Sequence, residues 1–247
     1  MARKGGLGHL KRLPSPWFWP IHRKEATWAP KPSPGPHRLS SSLPLELIIR
    51  DDLRLARTRR EVASILAHGK IKIDGRVRLE KNYPVGLMDV VEILDANQTY
   101  RVLPLEGKGL SLVRIPKDEA KFKLCKVYRK TTTPRGAVQF GTHDGRNIIV
   151  SSDEREVGSY STNDTLRIGI PQQRVLSHIK FEKGNFALVV AGRNLGKSGK
   201  IVELKRGTAT RPAMVTIEDA TGSTLDTMVD YTFAVGTEKP MIKLEAS

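Results

Sequence analysis

The sequence is poor in cysteine, in long apolar runs and in acidic residues, and each shortage excludes a class of protein. A single cysteine, Cys125, rules out a disulfide framework and a multi-cysteine zinc site, and it fits a reducing compartment. No apolar run approaches the roughly 18 residues that span a bilayer, and no secretory signal is expected. Only 26 acidic residues face 42 lysines and arginines, so the net charge is +16. A chain this basic indicates a polyanionic partner, and nucleic acid is favoured over a membrane surface.

The positive charge is most concentrated in residues 1–43. This segment has eight lysines and arginines against one acid, all three tryptophans and seven of the 15 prolines. The closely spaced prolines forbid a helix, and no periodic apolar face offsets the entropy of ordering. We therefore expect an arm that is disordered in the free protein and becomes ordered along RNA, the alternative being a solvated tail. The arm residues expected to bind RNA are Arg3, Lys4, Lys11, Arg12, Trp17, Trp19, His22, Arg23, Lys24, Lys31, His37 and Arg38.

Residues 44–105 have the pattern of a small module with two helices. The stretch "LELIIRDDLRLA" places most of its apolar residues at helical spacing, which predicts the first helix. Thr58 and Glu61 form a capping box that opens the second helix, and Gly69 ends it. Arginines cluster at the start of this second helix, where the helix dipole favours phosphate, although a solvated helix start is the alternative.

A basic hairpin follows the second helix in "KIKIDGRVRLE", with its turn at Asp74-Gly75. We predict a three-residue loop with a glycine bulge, because that register places Lys70, Lys72 and Arg78 on one face. The module residues expected to bind RNA are Arg54, Arg57, Arg59, Arg60, Lys70, Lys72, Arg76 and Arg78.

The stretch "REVASILAHGKIKIDGRV" resembles the S-four-type RNA-binding module, a small α/β domain. The resemblance implies that residues 44–105 bind structured RNA. Pseudouridine synthases and a tyrosyl-tRNA synthetase carry the same module as an appendage, so the module alone does not identify the class of protein. A pseudouridine synthase would need an Arg-Leu-Asp signature, which this sequence does not contain.

From residue 106 onward the chain reads mostly as β-structure, with one helix expected near Pro116 to Cys125. Short apolar runs recur with Gly, Asn and Asp between them, which is typical of a barrel or sandwich. We predict a β-rich central domain over residues 106–172 and a β-barrel over 173–247. The runs predicted as strands are VVEIL, RNIIVS, TLRIGI, VLSHIKF, FALVVA, GKIVEL, AMVTIED and YTFAVG.

The stretch "AGRNLGKSGKIVEL" has the look of a nucleotide-binding loop but the wrong spacing. A Walker loop has four residues between its first glycine and its Gly-Lys-Ser, and a helix begins there. Here only three residues separate Gly192 from Gly196, and a strand pattern follows. Strand, glycine turn and strand instead resemble the KOW motif of an SH3-like barrel, with Gly192, Gly196 and Gly199 expected in left-handed backbone. The loop residues expected to contact RNA are Arg193, Asn194, Lys197 and Lys200. A merely soluble loop tip is the alternative.

One pair of residues invites a catalytic interpretation. His143 and Asp144 are adjacent, but neighbours on an extended chain point to opposite sides, and Asp144-Gly145 predicts a turn. We therefore expect no catalytic residue, no metal site and no cofactor.

The whole chain resembles the e-type small ribosomal subunit protein four family of archaea and eukaryotes. The resemblance runs through "HLKRLPSPWFW", "APKPSPGPHRL", "NYPVGLMDV", "EAKFKLCKV", "THDGRNI" and "GNFALVVAGRNLGKSGKI". It implies an α+β, multi-domain structural protein of the cytoplasmic ribosome that binds small-subunit ribosomal RNA beside neighbouring ribosomal proteins. It also implies no enzymatic activity, no small-molecule substrate, no membrane and no homo-oligomer. The extra C-terminal domain of eukaryotic members is not expected, which favours an archaeal source. A free RNA-binding translation or transcription factor is the alternative.

Overall fold

The computed structural model describes residues 8–22, 24–133, 136–150, 160–208, 210–219 and 221–244. Within these ranges the chain is mostly β, with few and short helices, and three five-stranded antiparallel sheets follow one another along it. None of the described helices is long and apolar enough to cross a membrane.

The arm is folded from residue 8 onward. Strand β1 (Leu10–Lys11) pairs antiparallel with β2 (Trp28–Ala29). Trp19 is 2% exposed and packs in the same apolar core as the helices of the module, and its indole Nε1 donates a hydrogen bond to the Ser42 carbonyl oxygen at 2.8 Å. The prediction that the arm is disordered in the free protein is therefore wrong for these residues, which pack on the module. The apolar partners of Trp19 come from the following module, so no local periodicity reveals them.

The module contains two helices and a five-stranded sheet. Its elements are β3 (Ser42–Pro44), α1 (Leu45–Leu47) continued by a π-helical turn (Ile48–Asp52), α2 (Arg59–Ala67), β4 (Ile71–Ile73), β5 (Arg76–Val77), β6 (Pro84–Gly86), β7 (Val90–Ile93), β8 (Gln98–Leu105) and β9 (Gly109–Arg114). The sheet has the order β5-β4-β7-β8-β9, and β3 pairs with β6 beside it. The predicted helix signals are confirmed: the Thr58 hydroxyl accepts from the Glu61 N–H at 3.3 Å, and Gly69 has φ +68°.

The predicted register of the basic hairpin is wrong. Ile73 pairs with Arg76 across a two-residue turn in which Asp74 and Gly75 both have positive φ, the geometry of a type I′ turn. This register mixes apolar and charged side chains on one face. That mixture costs little here, since β5 is an edge strand whose two side chains are exposed while those of Ile71 and Ile73 on β4 are buried.

The central sheet begins earlier than the sequence predicted. Its strands are β10 (Phe122–Thr132), β11 (Val138–Thr142), β12 (Asn147–Val150), β13 (Thr165–Gly169) and β14 (Val175–Ile179), in the order β12-β11-β10-β13-β14. The helix expected near Pro116 to Cys125 is a single 3₁₀ turn at Glu119–Lys121. From Phe122 onward the chain pairs with β13, which buries Phe122 and Leu124 on the core side, so the sheet overrides the local helical tendency.

The C-terminal sheet is a third antiparallel unit. Its strands are β15 (Phe186–Val189), β16 (Ser198–Lys205), β17 (Met214–Glu218), β18 (Thr224–Met228) and β19 (Thr232–Gly236), in the order β18-β17-β16-β15-β19. The strands predicted from the eight apolar runs are all present. The predicted borders after residues 105 and 172 fall inside the β8–β9 and β13–β14 hairpins. One apolar cluster joins Leu103, Phe122, Ile179, Leu188 and Phe233, so the three sheets share core.

Candidate RNA interface

Arginines at the start of α2 form the first part of the candidate interface. Glu61 organises this helix end, because its carboxylate accepts from the Arg57 backbone N–H at 2.8 Å and leaves the Arg57 side chain exposed. Arg59 is partly committed to the protein, since its Nε lies 3.3 Å from the buried carboxylate of Glu46. Among the described residues no carboxylate forms an ion pair with Arg54, Arg57 or Arg60. These side chains are therefore free to bind phosphate.

Two predicted RNA ligands of the arm, Arg12 and His37, make contacts within the protein. The Arg12 guanidinium donates to the Ile21 carbonyl oxygen and to the Ser15 hydroxyl, at 2.9 and 2.8 Å, and so closes the loop between them. The His37 ring lies 3.0 Å from the Asp89 carboxylate, and both side chains are buried. Trp19 in the core and His37 on Asp89 therefore have partners within the protein, and an RNA contact of either side chain stays a prediction. Arg3, Lys4 and Arg23 lie outside the described residues.

Other arm residues face solvent as an RNA ligand must. The indoles of Trp17 and Trp28 are 67% and 57% exposed, which is unusual for tryptophan unless a partner covers it. Lys11 lies over the Trp28 ring, 5.8 Å from its centroid, and the His9 ring lies 5.5 Å away. Lys24, His22 and Arg38 are also exposed. Trp28 was missing from the predicted ligands, although its place in a basic, proline-rich segment is the same signal that pointed to Trp17.

A cleft of about 1830 Å³ separates the arm from the helices of the module, and we call it the arm cleft. The predicted ligands that line it are Arg12, Trp17, Trp19, His22, Lys31, Arg54, Arg57 and Arg59. Trp28 and Arg50 also line it and were not predicted. Six lysines and arginines line this cleft against three carboxylates, two of which are paired with Arg50 or Arg59. A wide, basic cleft with exposed indoles can hold an RNA backbone and stack its bases.

The hairpin does not present the predicted basic face. Arg78 lies opposite Ile71, since the Arg78 N–H donates to the Ile71 carbonyl oxygen at 3.2 Å, so Arg78 and Lys72 do not share a face. Lys70 is paired with Asp95 at 2.6 Å, and both side chains are exposed. Arg76 remains exposed on the edge strand. None of these four side chains lines the arm cleft.

The glycine-rich loop is a strand-to-strand turn, as predicted. Gly192 and Gly196 have φ +85° and +88°, and the chain continues as strand β16. Gly199 was expected to be left-handed but lies in β16, where a side chain would collide with the Glu218 carbonyl oxygen. The predicted loop ligands Arg193 and Lys200 are exposed, and Asn194 and Lys197 are half-buried; none of the four lines the arm cleft.

We expect no saturable binding of ATP or GTP to the purified chain. The residues after Gly-Lys-Ser form a strand, so the loop lacks the aligned N–H groups of a helix start that hold a phosphate. Equilibrium dialysis with labelled nucleotide checks this, and Lys197→Ala serves as the matched variant. Saturable binding that Lys197→Ala abolishes would contradict this interpretation.

A cluster of potential metal ligands lies in the central sheet, but its atoms are committed elsewhere. One donor atom from each of Cys125, His143 and Asp144 lies within 4.8 Å of the others. The His143 ring accepts from the Lys126 N–H at 3.2 Å and donates to the Leu87 carbonyl oxygen at 3.1 Å, and burial lowers its pKa to about 4. Both nitrogens of the neutral His143 ring are therefore occupied by hydrogen bonds, and Asp144 is paired with Lys123 and Arg146, so the cluster does not fit a metal ion.

Comparisons with known proteins agree along the whole chain. Family models match for the RS4NT domain at residues 4–40, the S4 domain at 47–91 and the ribosomal family S4e at 96–175. The small ribosomal subunit protein eS4 of Staphylothermus marinus is 47% identical, over 99% of this chain and 98% of its own length. That of Methanocaldococcus jannaschii is 44% identical, over 99% and 100%. This chain belongs to the ribosomal S4e family.

A solved member of the S4e family has the same fold. The crystal structure of 30S ribosomal protein S4e from Thermoplasma acidophilum superimposes with a TM-score of 0.65 at 34% identity, covering 80% of this chain and 96% of the other. The S4 domain match confirms the predicted S-four module, and family membership confirms the prediction that the chain is not an enzyme.

The S4e chain contains a buried charge network that sequence reasoning missed. Lys123 is fully buried, and its ammonium contacts Asp74 at 2.9 Å, Asp144 at 3.1 Å and the carboxylate of Asp89. Arg146 pairs with Asp74 and, at 2.9 Å, with Asp144. Burial alone would raise the pKa of Asp89 and Asp144, but the attraction of Lys123 and the other charged and hydrogen-bonding groups nearby together outweigh it and hold both pKa values well below the ordinary range. The network ties the hairpin of the module to the central sheet.

A second buried lysine ties the central sheet to the C-terminal one. The Lys126 ammonium donates to the carbonyl oxygens of Val229 and Thr232 at 2.9 and 2.7 Å. Its burial lowers the pKa to about 8. The two lysines lie three residues apart on strand β10, so this strand joins the two neighbouring sheets to each other. The arm, held by His37 on Asp89, is joined to the same assembly.

Proposed function

We propose that this chain is a structural constituent of the small ribosomal subunit and binds its ribosomal RNA through the arm cleft. The observation that carries the proposal is the cleft itself, where basic side chains of the arm and of α2 face one another beside exposed indoles. The relatives are small-subunit proteins, which supports a place in the cytoplasmic ribosome beside neighbouring ribosomal proteins. The buried charge network supports a structural role, because it ties the hairpin of the module to the central sheet.

The functional units follow the predicted order, in our proposal, with an arm at 1–43, an S-four module at 44–105, a β-rich central unit at 106–172 and a barrel at 173–247. We propose that the C-terminal sheet is a KOW-containing SH3-like barrel whose loop touches RNA. Its five antiparallel strands and the strand–turn–strand at residues 186–205 support this. Exposed Arg193 and Lys200 are the side chains that we propose for the contact.

A free RNA-binding factor would use the same cleft but leave the particle. Co-sedimentation of the tagged chain with small subunits separates the two functions, because a constituent remains bound at high salt whereas an electrostatically held factor is released. We expect the chain to remain with the small subunit at salt concentrations that strip loosely bound factors. Release at moderate salt would favour the free factor.

Removing two free cations of the arm cleft should flatten the salt dependence of RNA binding. Arg54 and Arg57 are exposed and form no ion pair among the described residues, so Arg54→Gln with Arg57→Gln removes phosphate contacts and spares the fold. Each lost contact lowers the slope of log affinity against log salt by about 0.7 to 0.9. Fluorescence anisotropy with small-subunit ribosomal RNA at several salt concentrations measures this slope.

The matched control removes the same charge elsewhere. Lys183 and Lys239 are exposed and line neither the arm cleft nor the other described clefts, so Lys183→Gln with Lys239→Gln should leave the slope nearly unchanged. Arg59 is left in place because it pairs with the buried carboxylate of Glu46, so its loss would also disturb the fold. An equal fall of the slope in both double variants would mean that the arm cleft is ordinary solvated surface.

A further inference from the structure

A second cleft, of about 450 Å³, lies where the arm, the basic hairpin and the central sheet meet. Its walls include Pro36 of the arm, Arg76, Arg78 and Tyr83 of the module, and Arg146 of the central sheet. It shares no lining residue with the arm cleft. We call it the hairpin cleft. Its volume is within the range of about 300 to 1,000 Å³ typical of small-molecule sites.

The charge balance of the hairpin cleft favours an anion. Two carboxylates line it, Asp74 and Asp144, and both are engaged by Lys123 and Arg146 on its floor. The remaining lining cations are Arg76 and Arg78. Among the described residues neither of these two forms an ion pair, so their charge is available to a ligand.

Arg78 is also held in a shape suited to stacking. Its guanidinium carbon lies 4.4 Å from the centroid of the Tyr83 ring, so the two groups are stacked. The Arg78 Nε is buried and has no hydrogen-bond partner, which is costly unless a ligand supplies an acceptor. The base of an unpaired nucleotide stacks on arginine planes and aromatic rings and carries acceptors on its edges.

We propose that the hairpin cleft binds one unpaired nucleotide of RNA, with its base against the Arg78–Tyr83 stack and its phosphate on Arg76. The central sheet, through Arg146 and its carboxylate partners, forms the floor that holds the site open. This inference rests on the proposed function, because it assigns a second contact to the same RNA partner. It also gives the central sheet a part in RNA recognition, because the central sheet lines the hairpin cleft but not the arm cleft.

The variant Arg78→Lys tests the stacking, because it keeps the charge and removes the guanidinium plane. Two fluorescent probes are titrated with the full chain, an RNA hairpin with a six-nucleotide single-stranded tail and the same hairpin with the tail base-paired. We expect Arg78→Lys to weaken binding of the tailed probe by about tenfold, as for the loss of one stacked base, and to leave the paired probe unchanged. Equal effects on both probes, or none, would overturn the proposal.

Arg76→Gln tests the phosphate contact independently. Arg76 is exposed on an edge strand, so its replacement should leave thermal unfolding unchanged while the salt slope for the tailed probe falls by about 0.7. Lys183→Gln is the charge-matched control and should leave that slope unchanged. An unchanged slope for Arg76→Gln would also overturn the proposal.

The two proposals fail separately. If Arg54→Gln with Arg57→Gln weakens binding to small-subunit ribosomal RNA while Arg76→Gln and Arg78→Lys bind like the parent chain, only the hairpin cleft is refuted. If the parent chain itself does not bind that RNA, the proposed function is refuted.

Discussion

Replacing Lys123 with methionine is expected to lower the free energy of unfolding by about 3–5 kcal/mol at pH 7, the range for removing one partner of a buried ion pair. Lys123 is 1% exposed and is the ion-pair partner that Asp74, Asp89 and Asp144 share. Without it, the carboxylates of Asp74, Asp89 and Asp144 face each other, and Arg146 and His37 are their remaining ion-pair partners among the described residues. Chemical denaturation of the full chain measures the loss.

The stability that Lys123→Met loses relative to the parent chain should become smaller as the pH falls. In the parent chain the pKa values of Asp89 and Asp144 are depressed, so these groups stabilise the fold above their ordinary pKa of 3.8 and cease to do so as the pH falls through the depressed values. In Lys123→Met burial dominates and raises the same pKa values, so protonation relieves the variant at a pH where the parent is still fully charged. The difference between the two unfolding free energies should therefore narrow between pH 7 and about pH 4.5.

Two further variants make the test specific. Lys121→Met removes an exposed lysine two residues away, whose carboxylate partner Asp118 is also exposed, and should change stability by less than about 0.5 kcal/mol. Adding Asp89→Asn to Lys123→Met should recover part of the loss, because one of the unpaired charges is removed. If Lys123→Met alone is as stable as Lys121→Met, the network does not hold the sheets together.

Trp19→Ala should destabilise the chain by about 3–5 kcal/mol, whereas Trp17→Ala should change stability by less than about 0.5 kcal/mol. Trp19 is 2% exposed and donates a hydrogen bond to Ser42, while Trp17 is 67% exposed. For RNA the order reverses: loss of a stacked Trp17 should cost about 1–3 kcal/mol of binding, measured with small-subunit ribosomal RNA.

Tryptophan fluorescence gives a second readout of the same contrast. The buried Trp19 should contribute the blue-shifted part of the emission, which is lost cooperatively on unfolding and absent from Trp19→Ala. Equal stability of the two alanine variants would mean that the arm is not part of the core, as the sequence alone first suggested.

The β-strands could be predicted because alternation and turn residues are local signals. The apolar runs at Thr165–Gly169 and Thr232–Gly236 form strands, as predicted. The helix cap at Thr58 could be predicted because its partner Glu61 is only three residues away. The arginines at the start of α2 could be predicted in the same way, because residues that are neighbours in sequence also lie close together at the start of a helix.

The errors concern residues whose partners are distant along the chain. Trp19 is buried by residues of another segment, and its own proline-rich neighbourhood suggests exposure. Lys123 meets Asp74 49 residues away, so no spacing rule connects them. The hairpin register was misread because β5 buries neither side chain, and the burial pattern that normally selects a register is absent there.

Ultraviolet cross-linking of the full chain to small-subunit ribosomal RNA, followed by mass spectrometry of the cross-linked peptides, tests the central claim most directly. Our account predicts that the strongest cross-links map to the walls of the arm cleft, at the exposed indoles of Trp17 and Trp28 and at the peptide containing Arg54 and Arg57. Trp19 should not cross-link, because it is buried. Cross-links confined to the C-terminal sheet, with none at the arm cleft, would contradict the claim that this cleft is where the chain holds its RNA.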